Sequence, residues 1–410
     1  MCRIAMISAH GSPLAELGGR ETGGMNVYVR ELSRELGLQG MTVDVYTRLT
    51  DPTLPEVIEC GRNARVIGLP AGDVGPMDKN QVFDRLPELV GRVRRFAVER
   101  DLHYKYVHSH YWLSGWVGKM LAHTWNVPHL TTFHTLARVK NRALDESAET
   151  ERRGEIEERI VAQADGIIVS SDHERHSLVE LYSARRERIH VIPPGVDLSL
   201  FRPVDPSAAR ARLGLDGRDV VFAVGRMDPV KGFDVLIRAL PHLKRHRNLQ
   251  LVLAGGPIGE REHRRLTDLV GTLGVGDRVS FVGPVPQPDL PLYYSAAKVV
   301  VVPSHYESFG FVAAEALACG TPVVASRVGG LPTFVHDGIN GLLVSWRTPE
   351  AFAERISLLL SDWELRSRLA ASARSSVERI GWSTAAARTI ELYRQVGTAR
   401  EPALVCCCGT

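Results

Sequence analysis

Short apolar runs alternate with amphipathic stretches along the first half of this chain. Strand-like runs recur at residues 3–7, 42–46, 106–109, 129–132, 166–169 and 189–192, each followed by a segment with helically spaced apolar positions. Strands that alternate with helices predict a doubly wound parallel sheet. A second series, at residues 220–224, 249–254, 279–282, 299–302 and 323–325, predicts another sheet of the same kind. Residues 192–203, rich in Pro, Gly and Asp, read as the linker between them. After Val344 the pattern turns helical, over residues 348–360, 364–379 and 383–396. The expected fold class is α/β, with an N-terminal domain over 1–200 and a C-terminal domain over 201–380.

Composition narrows the class. A chain of 410 residues is long for one core and suits two domains. With 44% hydrophobic and 24% charged residues it reads as globular, and a net charge of +3 demands no nucleic-acid partner. Cys2, Cys60 and Cys319 are scattered, and Cys406, Cys407 and Cys408 sit together in a tail over 398–410 expected to be disordered. None has metal or redox spacing, so reduced thiols are expected. The opening segment is broken by Arg3 and lacks a signal core, and no run reaches the length of a membrane span, so a cytoplasmic protein is expected. Residues 85–96 mix basic and apolar positions; a bilayer-lying helix is one reading, and a solvated helix packed on the sheet is the favoured one.

The densest chemistry lies at residues 297–331, AKVVVVPSHYESFGFVAAEALACGTPVVASRVGGL. This reads as one β-α-β unit: Val299 to Val302, a polar turn, a small-residue helix over 310–318 stopped by Gly320, and a buried strand over 322–325. Glu307 precedes the helix and Glu315 lies inside it, among Ala and Val. A carboxylate in apolar company requires a partner. A vicinal diol, as in a sugar or ribose, serves well because an ionised carboxylate only accepts. Ligands of open α/β sheets sit beyond the carboxyl ends of strands, where residues 306–310 fall, and a helix start there favours an anion. Taken singly, Glu307 reads equally as a solvated loop residue and Glu315 as a cap for a core donor.

Other candidate groups end other strands. His10-Gly11-Ser12-Pro13 closes the first, followed by Gly18, Gly19, Gly23 and Gly24, then Asn26 and a helix with Val27, Leu32 and Leu36 on its apolar side. Glycines before a helix let backbone N–H groups approach an anion, although a tight turn accounts for them as well. This is neither a P-loop nor a GxGxxG fingerprint. Polar clusters at residues 107–115 (VHSHYWLSG) and 131–136 (TTFHTL) end two neighbouring strands. Each histidine alone reads as structural; two clusters together point to a site. Arg226 and Lys231, at a helix entrance, suit a diphosphate that becomes a leaving group. No Asp-x-Asp occurs, which speaks against metal-chelating nucleotide-sugar transferases.

The string Glu307-Ser-Phe-Gly-Phe-Val-Ala-Ala-Glu315, followed by Gly-Thr-Pro-Val-Val-Ala-Ser and Gly329-Gly330-Leu331, resembles the donor-site signature of retaining glycosyltransferases of family 4. These have the GT-B fold, two facing Rossmann-like domains. Residues 193–197, PPGVD, are similar to the interdomain junction of that family, and Gly23-Gly24-Met25-Asn26-Val27-Tyr28 resembles the glycine loop of its inositol-phosphate transferases in mycothiol synthesis. Sucrose-phosphate synthases carry a related loop.

The resemblance implies donor binding by Gly23, Gly24, Arg226, Lys231, Glu307, Ser308, Phe309, Gly310 and Glu315, with Glu315 at the ribose. It implies that Gly329, Gly330 and Leu331 line the diphosphate side, and that residues 255–257 and 283–287 surround the base. His134, Arg226, Lys231 and Glu307 are the implied catalytic set, with His134 hydrogen-bonding a sugar hydroxyl. Asn26, Lys79, Tyr111, Thr135 and Arg153 are the implied acceptor set, with Arg152 an alternative to Arg153. Lys and Arg with hydroxyl donors suit a phosphate dianion; without the resemblance they read as surface charges. The last helix, 381–397, is expected to pack back on the N-terminal domain.

The implied activity is transfer, with retention, from UDP-GlcNAc or UDP-glucose to a small phosphorylated polyol or sugar, with inositol 3-phosphate the expected acceptor. No cofactor or metal is expected beyond the nucleotide-sugar co-substrate, membrane association is not expected, and homodimerisation is left open. Arg20-Glu21-Thr22 and the tail after Val396 depart from the inositol-phosphate pattern. Fructose 6-phosphate, or a lipid or unphosphorylated glycan, is therefore kept as an alternative acceptor. A sugar-nucleotide epimerase and a non-catalytic sensor remain as competing classes.

Overall fold

Two sheets, each with its own helical layers, meet along a cleft. The computed structural model describes residues 2–15, 23–75, 77–144 and 149–400. Gly18, Gly19, Arg20, Glu21 and Thr22 lie outside the described residues, as does the cysteine tail at 406–408.

The first sheet contains β1 (Arg3–Ile7), β2 (Thr42–Arg48), β3 (Val57–Gly61), β4 (Ala64–Leu69), β5 (Tyr106–His110), β6 (His129–Thr132), β7 (Gly166–Val169) and β8 (Ile189–Val191). Its order is β3-β4-β2-β1-β5-β6-β7-β8, parallel throughout except that β3 runs antiparallel to β4. The second sheet contains β9 (Asp219–Val224), β10 (Leu249–Ala254), β11 (Val279–Gly283), β12 (Val299–Val302), β13 (Val323–Ser326) and β14 (Gly341–Val344), ordered β11-β10-β9-β12-β13-β14 and all parallel. In each sheet the winding reverses beside the first strand, between β1 and β5 and between β9 and β12. Such switch points open a crevice at the strands' carboxyl ends.

Three strands were not anticipated from the sequence. β3 is a half-exposed edge strand, joined to β4 by a turn at Asn63 in the left-handed region (φ 57), so it lacks the doubly buried apolar run of an interior strand. β14 is a short edge strand of four buried residues set between exposed stretches at 336–339 and 345–348.

Side-chain caps set many of the helix starts: Thr150 accepts from Arg153 N, Ser171 from Glu174 N, Thr348 from Ala351 N and Asp362 from Leu365 N. On the Lys79–Glu99 helix, Val82, Leu86, Leu89, Val93 and Phe96 are buried in the first core while Arg85, Arg92, Arg94 and Arg95 are exposed. Its apolar face is therefore spent on the sheet, against the bilayer reading. Among the described residues no helix is long and apolar enough to cross a membrane.

The last helix, Trp382–Arg400, runs past residue 396. Trp382, Ala386, Ile390 and Tyr393 share a core with Ile4, Met6, Leu32 and Leu130 of the first unit. The chain thus crosses between the units twice, and the crossings touch: Val196 N donates to Ile380 O at 3.0 Å, and a Cβ on Gly195 would overlap the backbone of Trp382.

Candidate active site

A cavity of about 320 Å³ lies between the two units. Its walls are the carboxyl ends of strands flanking both switch points. From the first unit come His10 after β1, Tyr111 after β5, and His134 and Thr135 after β6; from the second come Gly225 and Arg226 after β9 and residues 306–310 after β12. Tyr111 (φ 78) and His134 (φ 62) both hold the left-handed conformation, which non-glycine residues avoid. Strain of this kind persists where the surroundings over-determine it. Here Thr135 N donates to Phe133 O at 2.7 Å, closing a tight turn around His134.

Gly23 and Gly24 face the opposite unit. Beside Gly23 is the Arg226 side chain, and a Cβ on Gly24 would meet the Phe311 ring at 3.0 Å, so the missing side chains let the units approach. Asn26 pins this loop: its Oδ1 accepts from Gly23 N at 3.0 Å and its Nδ2 donates to Ser12 O at 2.8 Å.

The carboxylates of Glu307 and Glu315 both have partners. Glu307 Oε2 accepts from Lys231 Nζ at 2.7 Å and from Ser304 Oγ at 3.3 Å. Glu315 Oε2 accepts from Tyr294 OH at 2.6 Å, and burial pushes its carboxyl up to about 7. The loop carrying Glu307 is tied to the first unit, since Ser170 Oγ donates to Ser308 O at 2.9 Å. Val230 and Tyr306 extend the contact by packing into the first unit's core. Arg226 lies 3.6 Å from Asp228.

His108 and His110 are fully buried, and His10 and His134 stand half-buried in the cavity wall. His134 Nε2 lies 3.0 Å from His110 Nδ1; His108 pairs through Nδ1 with Tyr393 OH at 2.8 Å and through Nε2 with Thr132 Oγ1 at 3.0 Å. Burial pushes His10, His108 and His134 down to about 3, with Lys79 and Arg153 adding to the effect at His10. A neutral imidazole there hydrogen-bonds a hydroxyl and does not serve as a cationic acid. His10 stacks on Tyr111 with ring centroids 4.5 Å apart, and its Nδ1 has no partner among the described residues.

On the first unit's wall of the cavity Lys79, Tyr111 and Thr135 are joined by Lys140 and Glu149. Arg153 stands just behind, 2% exposed, with its guanidinium 4.7 Å from the Tyr111 ring centroid and Nη2 donating to Thr135 O and Oγ1. Arg152 points elsewhere: it is exposed, pairs with Asp84 at 3.3 Å and covers Phe83.

The cavity therefore brings together His134, Arg226, Lys231, Glu307, Ser308, Phe309, Gly310, Glu315, Gly23, Gly24, Asn26, Lys79, Tyr111 and Thr135. Gly329, Gly330 and Leu331 do not line it, contrary to expectation. A Cβ on Gly329 would overlap the Glu307 carbonyl, and Gly330 N donates to Glu307 O at 3.1 Å, so these residues buttress the Glu307 loop from behind. His10, Lys140, Glu149, Tyr294 and Tyr306 line the cavity without having been singled out as site residues. Among the described residues no group of three or more His, Cys, Asp or Glu is placed to hold a metal ion.

Chemically, the arrangement offers cations and neutral donors on both walls of one cleft. Arg226 and Lys231 come from the second unit and Lys79, Lys140 and Arg153 from the first, with the carboxylates Glu307 and Glu315 also on the second.

Comparison with known proteins covers nearly the whole chain. Residues 22–200 match glycosyltransferase family 4, and residues 207–376 match the glycosyl transferases group 1. The chain is 46% identical to the D-inositol 3-phosphate glycosyltransferase of Xylanimonas cellulosilytica, over 98% of each chain. It is 42% identical to the enzyme of that name from Nocardiopsis dassonvillei, over 99% of this chain and 97% of the relative. Among solved structures, the sucrose-phosphate synthase of Thermosynechococcus elongatus superposes with a TM-score of 0.90 at 39% identity, covering 97% of this chain and all of that one. The Anabaena protein HepE, solved with UDP-glucose, shares the fold at a TM-score of 0.77 and 22% identity, over 96% of this chain and 100% of its own.

Proposed function

This chain belongs to glycosyltransferase family 4, with the GT-B fold, and we propose that it moves a hexosyl group from a UDP-sugar to a small phosphorylated acceptor, D-inositol 3-phosphate, with retention at the anomeric carbon. The observation that carries this reading is one interdomain cavity with cations on both walls: Arg226 and Lys231 beside Glu307 on the second unit, and Lys79, with Arg153 behind Thr135, on the first. Two phosphate groups can be held there with the sugar between them.

In this reading Glu315 accepts from the ribose hydroxyls and Glu307 from the transferred sugar. Arg226 and Lys231 stabilise charge as the bond from the anomeric carbon to the diphosphate oxygen breaks. An acceptor hydroxyl attacks the same face, forming the new glycosidic bond, and its proton passes to the departing diphosphate. His134, neutral, orients a sugar hydroxyl. Phosphate at the acceptor end fixes which hydroxyl reaches the anomeric carbon.

A second acceptor, fructose 6-phosphate, is favoured by the likeness to the sucrose-phosphate synthase, because both acceptors present a phosphate monoester. Mixing the purified protein with UDP-GlcNAc, UDP-glucose or GDP-mannose and each acceptor, then measuring nucleotide release and product mass, decides between them. Acceptor-dependent UDP release with inositol 3-phosphate is the expected result. Silence with every phosphorylated acceptor, while UDP still binds, would overturn the acceptor assignment.

A further inference from the structure

The first unit's wall of the cavity already contains an anion supplied by the protein. Glu149 Oε1 accepts from Lys140 Nζ at 3.0 Å, and Glu149 Oε2 lies 3.0 Å from Arg153 Nη1. The carboxylate is 14% exposed and lines the cavity beside Lys79, Tyr111 and Thr135. Its two oxygens span two cations much as two oxygens of a phosphate do.

What holds Arg153 in place does not depend on Glu149. Arg153 Nε donates to Glu157 Oε1 at 2.7 Å, and Nη2 donates to Thr135 O at 2.8 Å and Oγ1 at 3.1 Å. Glu157, fully buried, is fixed in turn by Ala137 N at 2.9 Å and by Tyr182 OH. Only Nη1 is committed to Glu149. The backbone of Glu149 is independently anchored, since Asn141 Oδ1 accepts from its N–H at 2.8 Å and Asn141 Nδ2 donates to its carbonyl at 3.0 Å. Rotation of the Glu149 side chain alone therefore frees Nη1 and the Lys140 ammonium together.

We infer that Glu149 is an internal counter-anion of the acceptor subsite, exchanged for the phosphate of the acceptor when it binds. The inference rests on the reading of that wall as the phosphate subsite. A phosphate dianion at Lys140 and Arg153 cannot share them with a carboxylate at contact distance, because like charges repel strongly where water is excluded. The exchange keeps the two cations paired at every stage, so the empty site holds no unpaired buried guanidinium donor. It also makes the subsite selective: a phosphate monoester replaces the carboxylate's charge, whereas a neutral polyol does not.

The test compares wild type, Glu149→Gln and Lys140→Met in calorimetric titrations with inorganic phosphate, each saturated with UDP, whose own affinity and the melting temperature report correct folding. Glu149→Gln removes the competing charge and keeps the shape, so phosphate is expected to bind about tenfold tighter than to wild type, a step typical of one charge-assisted contact. Lys140→Met is expected to weaken phosphate about tenfold. Equal or weaker phosphate binding by a folded Glu149→Gln protein would overturn the inference and make Glu149 a prop for Arg153. Absence of phosphate binding in all three forms would overturn it too. Tighter phosphate in Glu149→Gln without turnover of inositol 3-phosphate would instead leave the exchange standing and remove the acceptor assignment.

Discussion

Lys231 places its ammonium 2.7 Å from Glu307 Oε2, joining the loop after β9 to the loop after β12 in one partly buried ion pair. The pair couples the group that would steady the leaving diphosphate to the group that would hold the sugar. Lys231→Met removes a charge aimed at developing negative charge and strands Glu307 without its cation. Turnover is expected to fall by about 10²–10³-fold, the usual scale for one such contact. Steady-state kinetics check this; a variant with unchanged kcat and only a raised KM would place Lys231 outside the chemistry.

A second prediction concerns acid. Burial holds His108 near 3 in the fold, against an ordinary value of 6.5, and His10 and His134 behave alike. The unfolded chain therefore binds more protons between those values. Stability is full above pH 6.5 and is lost as pH falls towards 3. For His108, which is fully buried, the loss reaches about 2 kcal/mol by pH 5. Thermal unfolding followed from pH 7.5 to 4.5 should show a steadily falling midpoint, with a shallower fall in His108→Gln. An equal fall in wild type and in His108→Gln would mean that His108 is not buried neutral.

How much of this was legible in the sequence depends on which face of each element carried the information. Interior strands such as β9, β10 and β12 are buried on both sides and announce themselves as apolar runs, whereas the half-exposed edge strand β3 does not. That Glu315 needs a partner follows from its apolar neighbours, but Tyr294 reaches it from another helix, 21 residues away, and no local pattern shows that. Lys140 and Glu149 look like ordinary surface charges until the fold brings them to the same cavity wall. The choice between Arg152 and Arg153 did have a signal: Glu149 and Glu157 bracket Arg153 four residues to either side, the spacing of ion pairs on one helical face. Arg152 has Glu149 and Glu155 three residues to either side, a weaker contrast than it first looks, and it turns to solvent to pair with Asp84. For Gly329 and Gly330 the pattern was ambiguous, because glycines that cradle an anion and glycines that admit a neighbouring backbone look alike until the neighbour is seen.

Glu315 supplies a pH dependence of opposite sign. Its carboxyl is raised to about 7 by burial, offset in part by the Tyr294 hydroxyl. The fold binds a proton that the unfolded chain has already lost, so the stability linked to this group is full below about 4.5 and is lost as pH rises to about 7. If ribose hydroxyls donate to Glu315, they favour the ionised form, and nucleotide binding must then expel that proton. UDP is expected to bind more weakly at pH 6 than at pH 8, with proton release visible as a buffer-dependent heat in calorimetry. In Glu315→Gln both the pH dependence and the proton release should vanish. Wild-type UDP affinity independent of pH from 6 to 8 would remove Glu315 from the ribose.

The buttress behind Glu307 can be tested by a matched pair of glycines. Gly329 has φ 54, and a Cβ there would overlap the Glu307 carbonyl; Gly338 has φ 77 and open space around its Cβ position. Alanine at either site carries the backbone cost of a left-handed conformation, about 1 kcal/mol. Only at Gly329 must the loop bearing Glu307 also move, and its carbonyl lose the bond from Gly330 N. Because that loop is tied to Ser170 across the cleft and to Lys231 at its side, displacement reaches the groups proposed to be catalytic directly. Gly329→Ala is therefore expected to lose about 100-fold in kcat/KM, the scale of an ångström-sized misplacement, while Gly338→Ala melts slightly lower and turns over normally. Equal activity in the two variants would show that the Glu307 loop does not depend on the space left by Gly329.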